Sequence, residues 1–261
     1  MNVIVVGAGV SGLTCAVVLA EAGYDVTIVA KELRETTSEA AAAIWFPYHI
    51  ESPEAEAWAQ VTRELLPGLP GVTLVDFEIR DTGEILRVPL MDTTQYLPYL
   101  RERFGGPIVQ RAVRSFDELD AGVIVNCTGF GARVLCDDET LVPGYGVVAV
   151  TARPPLDGAF VRMADPLLYV IPRSDDCILG GYDRDVRPTD ADVEAIVARC
   201  REAVPALGPV HAVKHGVRPV RPLVRLEREG RVIHNYGHGG ARFTVSWGCA
   251  LRVLELVRGT A

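Results

Sequence analysis

Three glycines near the start of the chain, Gly7, Gly9 and Gly12, have the spacing of a loop that binds a dinucleotide. The apolar run VIVV precedes them, and a helical pattern, LTCAVVLAEAG, and a second apolar run, DVTIVA, follow. In such a βαβ unit the first glycine allows a tight turn and the second lets the backbone approach a pyrophosphate. The third packs the helix on the sheet, and the first amides of the helix face the phosphates. The sequence therefore predicts a dinucleotide site.

The acidic residue that binds the ribose in such units is displaced in this chain. Glu32 lies two residues beyond Ala30, where the second strand is expected to end. Two interpretations stay open: Glu32 binds a ribose hydroxyl, or it is a solvated turn residue. The glycine spacing by itself does not distinguish NAD from FAD.

A second unusual segment lies near the C-terminus and reads HNYGHGGARFTVSWGCAL. Its histidines, His234 and His238, are four residues apart, which is a metal-binding spacing on a helix. The surrounding glycines disfavour that helix, so the segment predicts a strand, a glycine turn and a closing helix. We expect no metal site and assign the histidines to packing or hydrogen bonding.

The segment GVRPVRPLVRLERE contributes two arginines with different expected tasks. The planar guanidinium of Arg218 suits bidentate binding of a carboxylate, and the nearby prolines stiffen its position. The alternative for Arg218 is a structural salt bridge, for which Arg221 is the better candidate.

The remaining patterns predict the elements that position these residues. VIVNCTG indicates a central strand, LVDFEIR and EILRVPL a hairpin, and VQRAVRSF a further strand. VVAVTA, LLYVIPR and CILGGY are typical of an antiparallel sheet, QYLPYLRERF predicts a helix, and Thr189 with Asp192 predicts a capped helix start. The fold class is α/β, a nucleotide-binding domain whose chain leaves to build an antiparallel sheet and then returns.

Composition excludes several classes of function. The 261 residues include 49% hydrophobic ones and carry a net charge of -8, with the basic residues scattered along the chain. A nucleic-acid or anionic-membrane surface needs concentrated Lys and Arg, and a membrane span needs about 18 consecutive apolar residues. The N-terminus has no pattern of a signal peptide. The six cysteines form no C-x-x-C pair and sit in apolar runs, which favours buried free thiols and a cytoplasmic protein.

Over most of its length the chain resembles the D-amino acid oxidase family of FAD-dependent flavoproteins. The matching segments are VIVVGAGVSGL, TTSEAAAAIWFPY, VIVNCTG, PGYG, YVIPR with ILGG, GVRPVRPLVRLERE and HNYGHGG with WGCAL. The resemblance implies FAD as cofactor and oxidation of a D-amino acid to its imino acid, with O2 reduced to H2O2. It also implies a discontinuous Rossmann-like FAD-binding domain with a parallel sheet (1–50, 106–144, 212–261). An interleaved α+β substrate domain with an antiparallel sheet occupies 51–105 and 145–211. The resemblance leaves open whether the protein forms a homodimer.

The resemblance also implies the roles of individual residues. Arg218 and Tyr169 match the residues that bind the substrate carboxylate, and the Gly240 carbonyl accepts a hydrogen bond from the substrate amine. An isolated tyrosine such as Tyr169 is equally typical of a packed core. The residues implied in FAD binding are Gly7, Gly9, Val10, Ser11, Thr36, Thr37, Ser38, Ala42, Ala43, Ile44, Val113, Thr128, Gly129, Gly239, Gly240, Ala241, Arg242, Phe243 and Thr244. No side-chain base is implied, since the neutral amine drives hydride transfer.

The chain departs from the family in several places. Members are usually longer, and the short segment before LLYVIPR replaces an active-site lid, which predicts an open site. Arg162 or Arg173 could then enter the pocket and favour an acidic substrate. Phe46 stands where relatives often have a polar residue, and Arg242 replaces a common glycine. The alternatives are an amine or imino-acid oxidase that acts on glycine, D-aspartate or a secondary metabolite, and, ranked lower, a non-catalytic FAD-binding protein. An NAD-dependent dehydrogenase ranks last.

Overall fold

The computed structural model describes residues 1–48 and 50–259, and its strands form one twelve-stranded sheet. One half of the sheet is parallel, and its strands are short. Apart from the edge strand at residues 108–110 they are mostly buried, as expected for a sheet covered on both faces. This half contains β1 (Asn2–Val6), β2 (Asp25–Ala30), β5 (Ile108–Gln110), β6 (Val123–Asn126) and β12 (Val232–His238). The helices α1 (Val10–Glu21) and α6 (Ser246–Arg258) pack against each other beside these strands. The predicted βαβ unit and closing helix are confirmed.

The other half of the sheet is mainly antiparallel. It contains β3 (Val72–Ile79), β4 (Glu84–Met91), β7 (Val142–Ala152), β8 (Ala159–Arg162), β9 (Leu168–Pro172) and β10 (Asp176–Gly180). The helix α5 (Asp190–Ala203) packs on β7, β9 and β10. Its start has the predicted capping box, in which the Thr189 side chain accepts from the Asp192 amide and the Asp192 carboxylate accepts from the Thr189 amide.

The strand β11 (Val210–Glu229) joins the two halves of the sheet. Its first part pairs with β7 up to Val220, and its last part, from Arg225, pairs with β12. The pairing with β12 is irregular between Val220 and Arg225, where the sequence has Pro222 and so lacks a backbone donor. The predicted domain boundaries at 144/145 and 211/212 fall inside β7 and β11, and the division into two domains stays a prediction.

The remaining helices include two that the sequence patterns did not indicate. These are α2 (Ala55–Leu65) and the single-turn α4 (Ala132–Leu135). Between them lies α3 (Thr93–Phe104), and two 3-10 turns occupy 116–118 and 129–131. The prediction of α3 is confirmed, with Asp92 as N-cap and Gly105 in the left-handed region as C-cap. The prediction of a strand over VQRAVRSF is wrong beyond Gln110. The Arg111 amide makes a last hydrogen bond to Ala30 O, and Ser115 then caps a 3-10 turn.

The core is divided by the sheet into a large cluster under α1, α3 and α6 and a smaller cluster under α5. Five of the six cysteines are buried in such clusters or beside them, and all six are free thiols. Among the described residues no helix is long and apolar enough to cross a membrane.

A buried ionic network fixes the region where β11 turns from β7 to β12. The Asp138 carboxylate accepts hydrogen bonds from Arg221 Nε at 2.9 Å and from the Tyr236 hydroxyl at 2.8 Å. This confirms Arg221 as a structural salt-bridge residue. Burial opposes ionisation of Asp138, but hydrogen bonds from Thr140, Tyr236 and Arg221 outweigh it and hold the carboxyl pKa far below its usual range.

The Asp138 network predicts a pH-dependent loss of stability on acidification. Because the folded-state pKa is depressed, the contribution is fully present above the unfolded pKa of about 3.9 and is lost as the pH falls below it. Asp138→Asn should therefore lower the free energy of unfolding by about 1 to 3 kcal/mol at pH 7. The difference from the parent protein should shrink below about pH 4.

Urea unfolding of both proteins between pH 3 and pH 7 measures this difference. The exposed neighbour Asp137→Asn is the matched control and should unfold like the parent. A difference that stays constant over the whole range would contradict the assignment.

Candidate active site

Two cavities lie side by side where the parallel and antiparallel halves of the sheet meet. The cofactor cavity, about 570 Å³, is lined by the glycine loop after β1 and by residues after β2 and β6. The substrate cavity, about 130 Å³, is lined by β7, β8, β9 and β11 and by the segment from Ala40 to Tyr48. Thr37 and Arg242 line both cavities. The ends of the parallel strands are where α/β folds bind ligands.

The glycine loop has the close packing that its spacing predicts. Gly7 has a φ of 116°, and a side chain there would collide with the Cys127 carbonyl, while a side chain on Gly12 would collide with Gly7 O. A Cβ on Gly9 would come within 2.9 Å of Ser38 Oγ, which itself accepts a hydrogen bond from the Val10 amide at 3.0 Å. The loop thus brings the backbone at the start of α1 to the wall of the cofactor cavity.

Most of the residues predicted to bind the cofactor line one of the two cavities. The cofactor cavity is lined by Gly7, Gly9, Val10, Ser11, Thr36, Thr37, Ser38, Val113, Thr128, Gly129 and Arg242. The substrate cavity is lined by Ala42, Ala43, Ile44, Gly240 and Phe243, with Thr37 and Arg242 shared. Gly239, Ala241 and Thr244 line neither cavity, although they belong to the same turn. Glu32 lies on the wall of the cofactor cavity and also pairs with Lys31 at 3.4 Å, so both interpretations of it stay open.

The Arg218 guanidinium reaches the substrate cavity because a glycine faces it. A Cβ on Gly146 would lie 2.9 Å from the guanidinium carbon and its two terminal nitrogens. On β11, Arg218 pairs with Gly144 of β7, so the PGYG segment provides the space over which the arginine extends. Arg218 Nη1 donates to Asp183 Oδ1 at 3.0 Å and to the carbonyls of Tyr145 and Tyr182 at 3.2 Å. The guanidinium is therefore held in place before any ligand binds.

The Tyr169 ring occupies the space over another glycine. Tyr169 on β9 pairs with Gly180 on β10, and a side chain on Gly180 would collide with the tyrosine ring. Tyr169 lines the substrate cavity together with Arg218 and Gly240, so the structure brings the three residues predicted for catalysis to one cavity. Burial raises the pKa of the Tyr169 hydroxyl, and the Arg218 charge opposes the rise, so the hydroxyl stays protonated at neutral pH.

Two residues that the sequence analysis did not single out complete this cluster. The Tyr48 hydroxyl donates to Asp183 Oδ2 at 2.8 Å, and the Tyr48 ring lies against Gly240, where a Cβ would be only 2.6 Å away. Burial, and after it the Asp183 charge, raises the pKa of Tyr48. Asp183 lies two residues after the ILGG segment. An acidic residue just after a predicted strand, near an arginine expected in the pocket, is the sequence signal that would have identified it.

The turn from Gly239 to Val245 presents backbone donors beside both cavities. Its ends are fixed by hydrogen bonds from the Gly239 amide to Pro219 O and from the Val245 amide to Ala241 O. Within residues 1–48 and 50–259, no acceptor is bonded to the amides of Arg242, Phe243 or Thr244. A row of unpaired amides at a cavity suits a ligand with carbonyl or anionic oxygens.

The two histidines of the C-terminal segment make hydrogen bonds. His234 Nε2 lies 3.2 Å from Glu229 Oε2, and His238 Nε2 lies 3.0 Å from Asn235 Oδ1. Burial, with Arg242 as a second cause, lowers the pKa of His238 to about 3, so its imidazole is neutral. In the described part of the chain, no three His, Cys, Asp or Glu side chains are grouped to hold a metal ion.

The prediction that Arg162 or Arg173 enters the pocket is wrong. Arg173 is only 1% exposed and is held by the carboxylate of Asp176 and by Thr93 Oγ1. Arg162 donates to Pro166 O, and neither arginine lines the substrate cavity. Instead the short segment contributes Met163 to that cavity. Phe46 also lines it and contacts Phe77 edge-on at 5.4 Å, which makes this wall apolar as expected.

The fold and the joined cavities define a dinucleotide-binding protein with a second cavity for a small molecule. The chain matches the family described as "DAO: FAD dependent oxidoreductase" over residues 2–105 and 90–256. It is 39% identical to a D-amino-acid oxidase of Streptomyces coelicolor, with 98% of this chain and 96% of the relative covered. It is 35% identical to a D-amino-acid oxidase of Rubrobacter xylanophilus, with 95% and 93% covered. The chain belongs to the DAO family of FAD-dependent oxidoreductases.

Solved structures show the same fold at much lower identity. An iminodiacetate oxidase from Chelativorans sp. BNC1 has a TM-score of 0.79 at 16% identity, with 98% of this chain and 95% of that chain covered. A glycine oxidase from Bacillus cereus has a TM-score of 0.78 at 15% identity, with 100% and 95% covered. The alignment with the Streptomyces relative extends over 307 positions, so that relative has segments that this 261-residue chain lacks.

The residues at the cofactor cavity fit FAD. The glycine loop and the start of α1 suit a pyrophosphate. The unpaired amides of Arg242, which borders both cavities, and of Phe243, which borders the substrate cavity, suit the oxygens of an isoalloxazine ring. Thr37, which borders both cavities, lies between these two groups of donors. The fit depends mainly on backbone groups, and FAD binding should therefore respond to glycine substitutions.

Gly9→Ala should weaken FAD binding by about tenfold or more, equivalent to about 1.4 kcal/mol. The φ of Gly9 is -78°, which alanine adopts without strain, so the protein should still fold. The added methyl would contact Ser38 and narrow the cofactor cavity. Fluorescence titration of the apoprotein with FAD measures the dissociation constant.

Gly208→Ala is the matched control, since a Cβ there meets no atom within 4 Å. Equal FAD affinity of the two variants would contradict the placement of the pyrophosphate at the glycine loop.

Proposed function

We propose that this protein oxidises a D-amino acid to the corresponding imino acid, which then hydrolyses to the 2-oxo acid and ammonia, with O2 as the electron acceptor that forms H2O2. The observation that carries the proposal is the convergence of Arg218, Tyr169 and Gly240 on one small cavity next to the cofactor cavity. The relatives from Streptomyces coelicolor and Rubrobacter xylanophilus are D-amino-acid oxidases, which supports the same substrate class.

Arg218 and Tyr169 bind the substrate carboxylate. The guanidinium is fixed through Nη1 by Asp183 and two carbonyls, so little side-chain entropy is lost when a carboxylate binds. The protonated Tyr169 hydroxyl donates a second hydrogen bond to the same carboxylate. Together they fix one end of the substrate and leave rotation about the Cα–carboxylate bond as its main freedom.

The Gly240 carbonyl fixes the other end of the substrate by accepting a hydrogen bond from its amine. The Tyr48 ring packs against Gly240 and holds this part of the turn in place. With the carboxylate and the amine both fixed, the Cα hydrogen has one direction in which to point, and this alignment is the main contribution of the protein to the rate. Bound FAD would supply the acceptor for this hydrogen as hydride, with its two electrons. The substrate amine would first release its extra proton to solvent, so that the neutral amine drives the transfer and becomes the iminium form of the imino acid.

Most of the remaining wall of the substrate cavity is apolar, and the cavity is small, which supports neutral substrates with short side chains. The apolar wall contains Phe46, Phe77, Val161, Met163 and Ile171. Lys214 and Arg242 also line the cavity, so a cationic side chain would lose its hydration there and meet like charges. Small neutral substrates such as D-alanine are therefore favoured over D-lysine.

The proposal also includes the roles of the predicted cofactor residues. It further includes the division of the chain into an FAD domain and a substrate domain. A reducing compartment such as the cytoplasm is supported by six free thiols. The homodimer that the resemblance leaves open is tested by sedimentation velocity.

The activity is tested with a panel of amino acids added to the FAD-loaded protein. D-alanine and other small neutral D-amino acids should bleach the flavin absorbance under anaerobic conditions and produce H2O2 in air, and their L-enantiomers should do neither. Glycine, sarcosine and D-aspartate are included to test the related oxidase activities. If no D-amino acid bleaches the flavin, the proposal is wrong.

Arg218→Met tests the carboxylate site. Loss of a charged, bidentate partner should raise KM for the best substrate by at least about a hundredfold. FAD affinity should stay within about twofold, because Arg218 does not line the cofactor cavity. Arg218→Lys keeps the charge near Asp183 and should give an intermediate KM. Tyr169→Phe should raise KM by less.

Arg162→Met is the control, because Arg162 lies outside both cavities. Stopped-flow flavin reduction at varied substrate concentration separates binding from the rate of reduction. Normal KM in Arg218→Met would place the carboxylate elsewhere.

A further inference from the structure

The Arg242 side chain lies where the two cavities meet. Of the described residues, Arg242 and Thr37 are the two that line both cavities. A cofactor that extends from the glycine loop to the substrate cavity would pass beside them, since its redox-active ring has to reach the substrate Cα. The inference below rests on the proposed function to this extent.

The Arg242 charge has no counterion. Within residues 1–48 and 50–259 no carboxylate pairs with it and no acceptor is hydrogen-bonded to it. Asp183, the nearby acid, is engaged by Arg218 and by Tyr48, and His238 is neutral. Burial and then the repulsion from Arg218 lower the pKa of Arg242 to about 10, so it stays protonated at neutral pH. Arg242 is only half-buried and borders the open cavities. A ligand that fills them and displaces water would leave this charge without compensation unless the ligand carries an anionic group.

A flavin ring becomes anionic when it is reduced. The oxidised isoalloxazine is neutral, whereas two electrons and one proton, delivered as hydride to N5, leave a negative charge over N1 and the C2 oxygen. The unpaired amides of Arg242 and Phe243 already suit those atoms. A fixed cation in the same turn therefore interacts with the reduced form much more than with the oxidised form.

We propose that the Arg242 guanidinium stabilises the anionic N1–C2 edge of the reduced flavin and thereby raises the reduction potential of FAD in this protein. Arg242 then acts on the cofactor, while Arg218 acts on the substrate. The division of tasks follows from their partners: Arg218 is held by Asp183 in the substrate cavity, and Arg242 is unpaired and reaches the cofactor cavity.

The test uses FAD-loaded protein without any amino acid. Sulfite adds to flavin N5 and creates the same negative charge at N1–C2, so its dissociation constant, read from the loss of flavin absorbance, reports the local field. The midpoint potential is measured independently by equilibration with a reference dye. Arg242→Met removes the charge at similar volume, Arg242→Lys retains it, and Arg162→Met removes a charge outside both cavities as a matched control.

In Arg242→Met, sulfite binding should weaken by roughly ten- to hundredfold. The same loss in the reduction equilibrium corresponds to a fall of about 30 to 60 mV in the two-electron potential. Arg242→Lys should stay within about threefold of the parent, and Arg162→Met should be unchanged. The Arg242→Met apoprotein should melt no lower than the parent, because the substitution removes a repulsion with Arg218.

Unchanged sulfite affinity and potential in Arg242→Met would overturn the proposal. A selective rise in KM for D-aspartate, with sulfite binding unchanged, would do the same and assign Arg242 to a second substrate carboxylate. If Arg242→Met does not retain FAD, Arg242→Gln is measured in its place. Loss of FAD in both neutral variants would show that the charge holds oxidised FAD, which also overturns the proposal. A panel without active D-amino acids but with weakened sulfite binding would refute the proposed function and leave this inference standing.

Discussion

The long strand β11 is the constraint on which the rest of the structure depends. Its first part is hydrogen-bonded to β7 and its last part to β12, so one continuous backbone joins the antiparallel and parallel halves of the sheet. Arg218 lies on it just before the irregular stretch that begins after Val220. Pairing of β11 with β7 fixes the position of Arg218 relative to the substrate cavity. Pairing of the last part of β11 with β12 fixes its position relative to the cofactor cavity. The distance between a carboxylate on Arg218 and a ring in the cofactor cavity is thus determined by hydrogen bonds of the sheet and not by a flexible loop.

The sheet also explains why the site needs glycines at positions far from any phosphate. Side chains on one face of neighbouring strands lie only about 5 Å apart, so a large side chain that must lie flat over the sheet needs a neighbour without a Cβ. Gly146 serves Arg218 in this way, and Gly180 serves Tyr169. Gly240 does the same for Tyr48 across the turn. The position of each of these side chains is therefore specified by two residues on different segments, which couples the PGYG and ILGG segments to the arginine and the tyrosine.

Much of the fold could be predicted from the sequence because local patterns carry the signal. The βαβ unit, the hairpin 72–91, the capped start of α5 and the closing helix α6 follow from apolar periodicity, turn residues and caps. The helix α2 was missed because its packing against α6, where Ala59 and Thr62 are buried and Trp58 is partly buried, is a contact that the sequence does not display. The positions of Arg173 and Asp183 could not be predicted for the same reason: each is set by a partner on another element. An arginine pairs with whichever acid the fold brings close to it. Arg173 donates to the Asp176 carboxylate and therefore does not face the substrate cavity.

The balance of charge in the site follows from this assignment of partners. Arg218, Arg242 and Asp183 together carry one net positive charge. Under the proposed function, the substrate carboxylate would compensate it by binding beside Arg218. Bound substrate and oxidised flavin would then leave the region near neutrality. Hydride transfer from the neutral amine would create the negative charge of the flavin and the positive charge of the iminium product in the same step. That product leaves as a zwitterion and removes no net charge, so the flavin anion would then face Arg218, which is paired with Asp183, and Arg242. Stabilisation of the reduced flavin would therefore depend mainly on Arg242, whose charge no acid of the described residues neutralises.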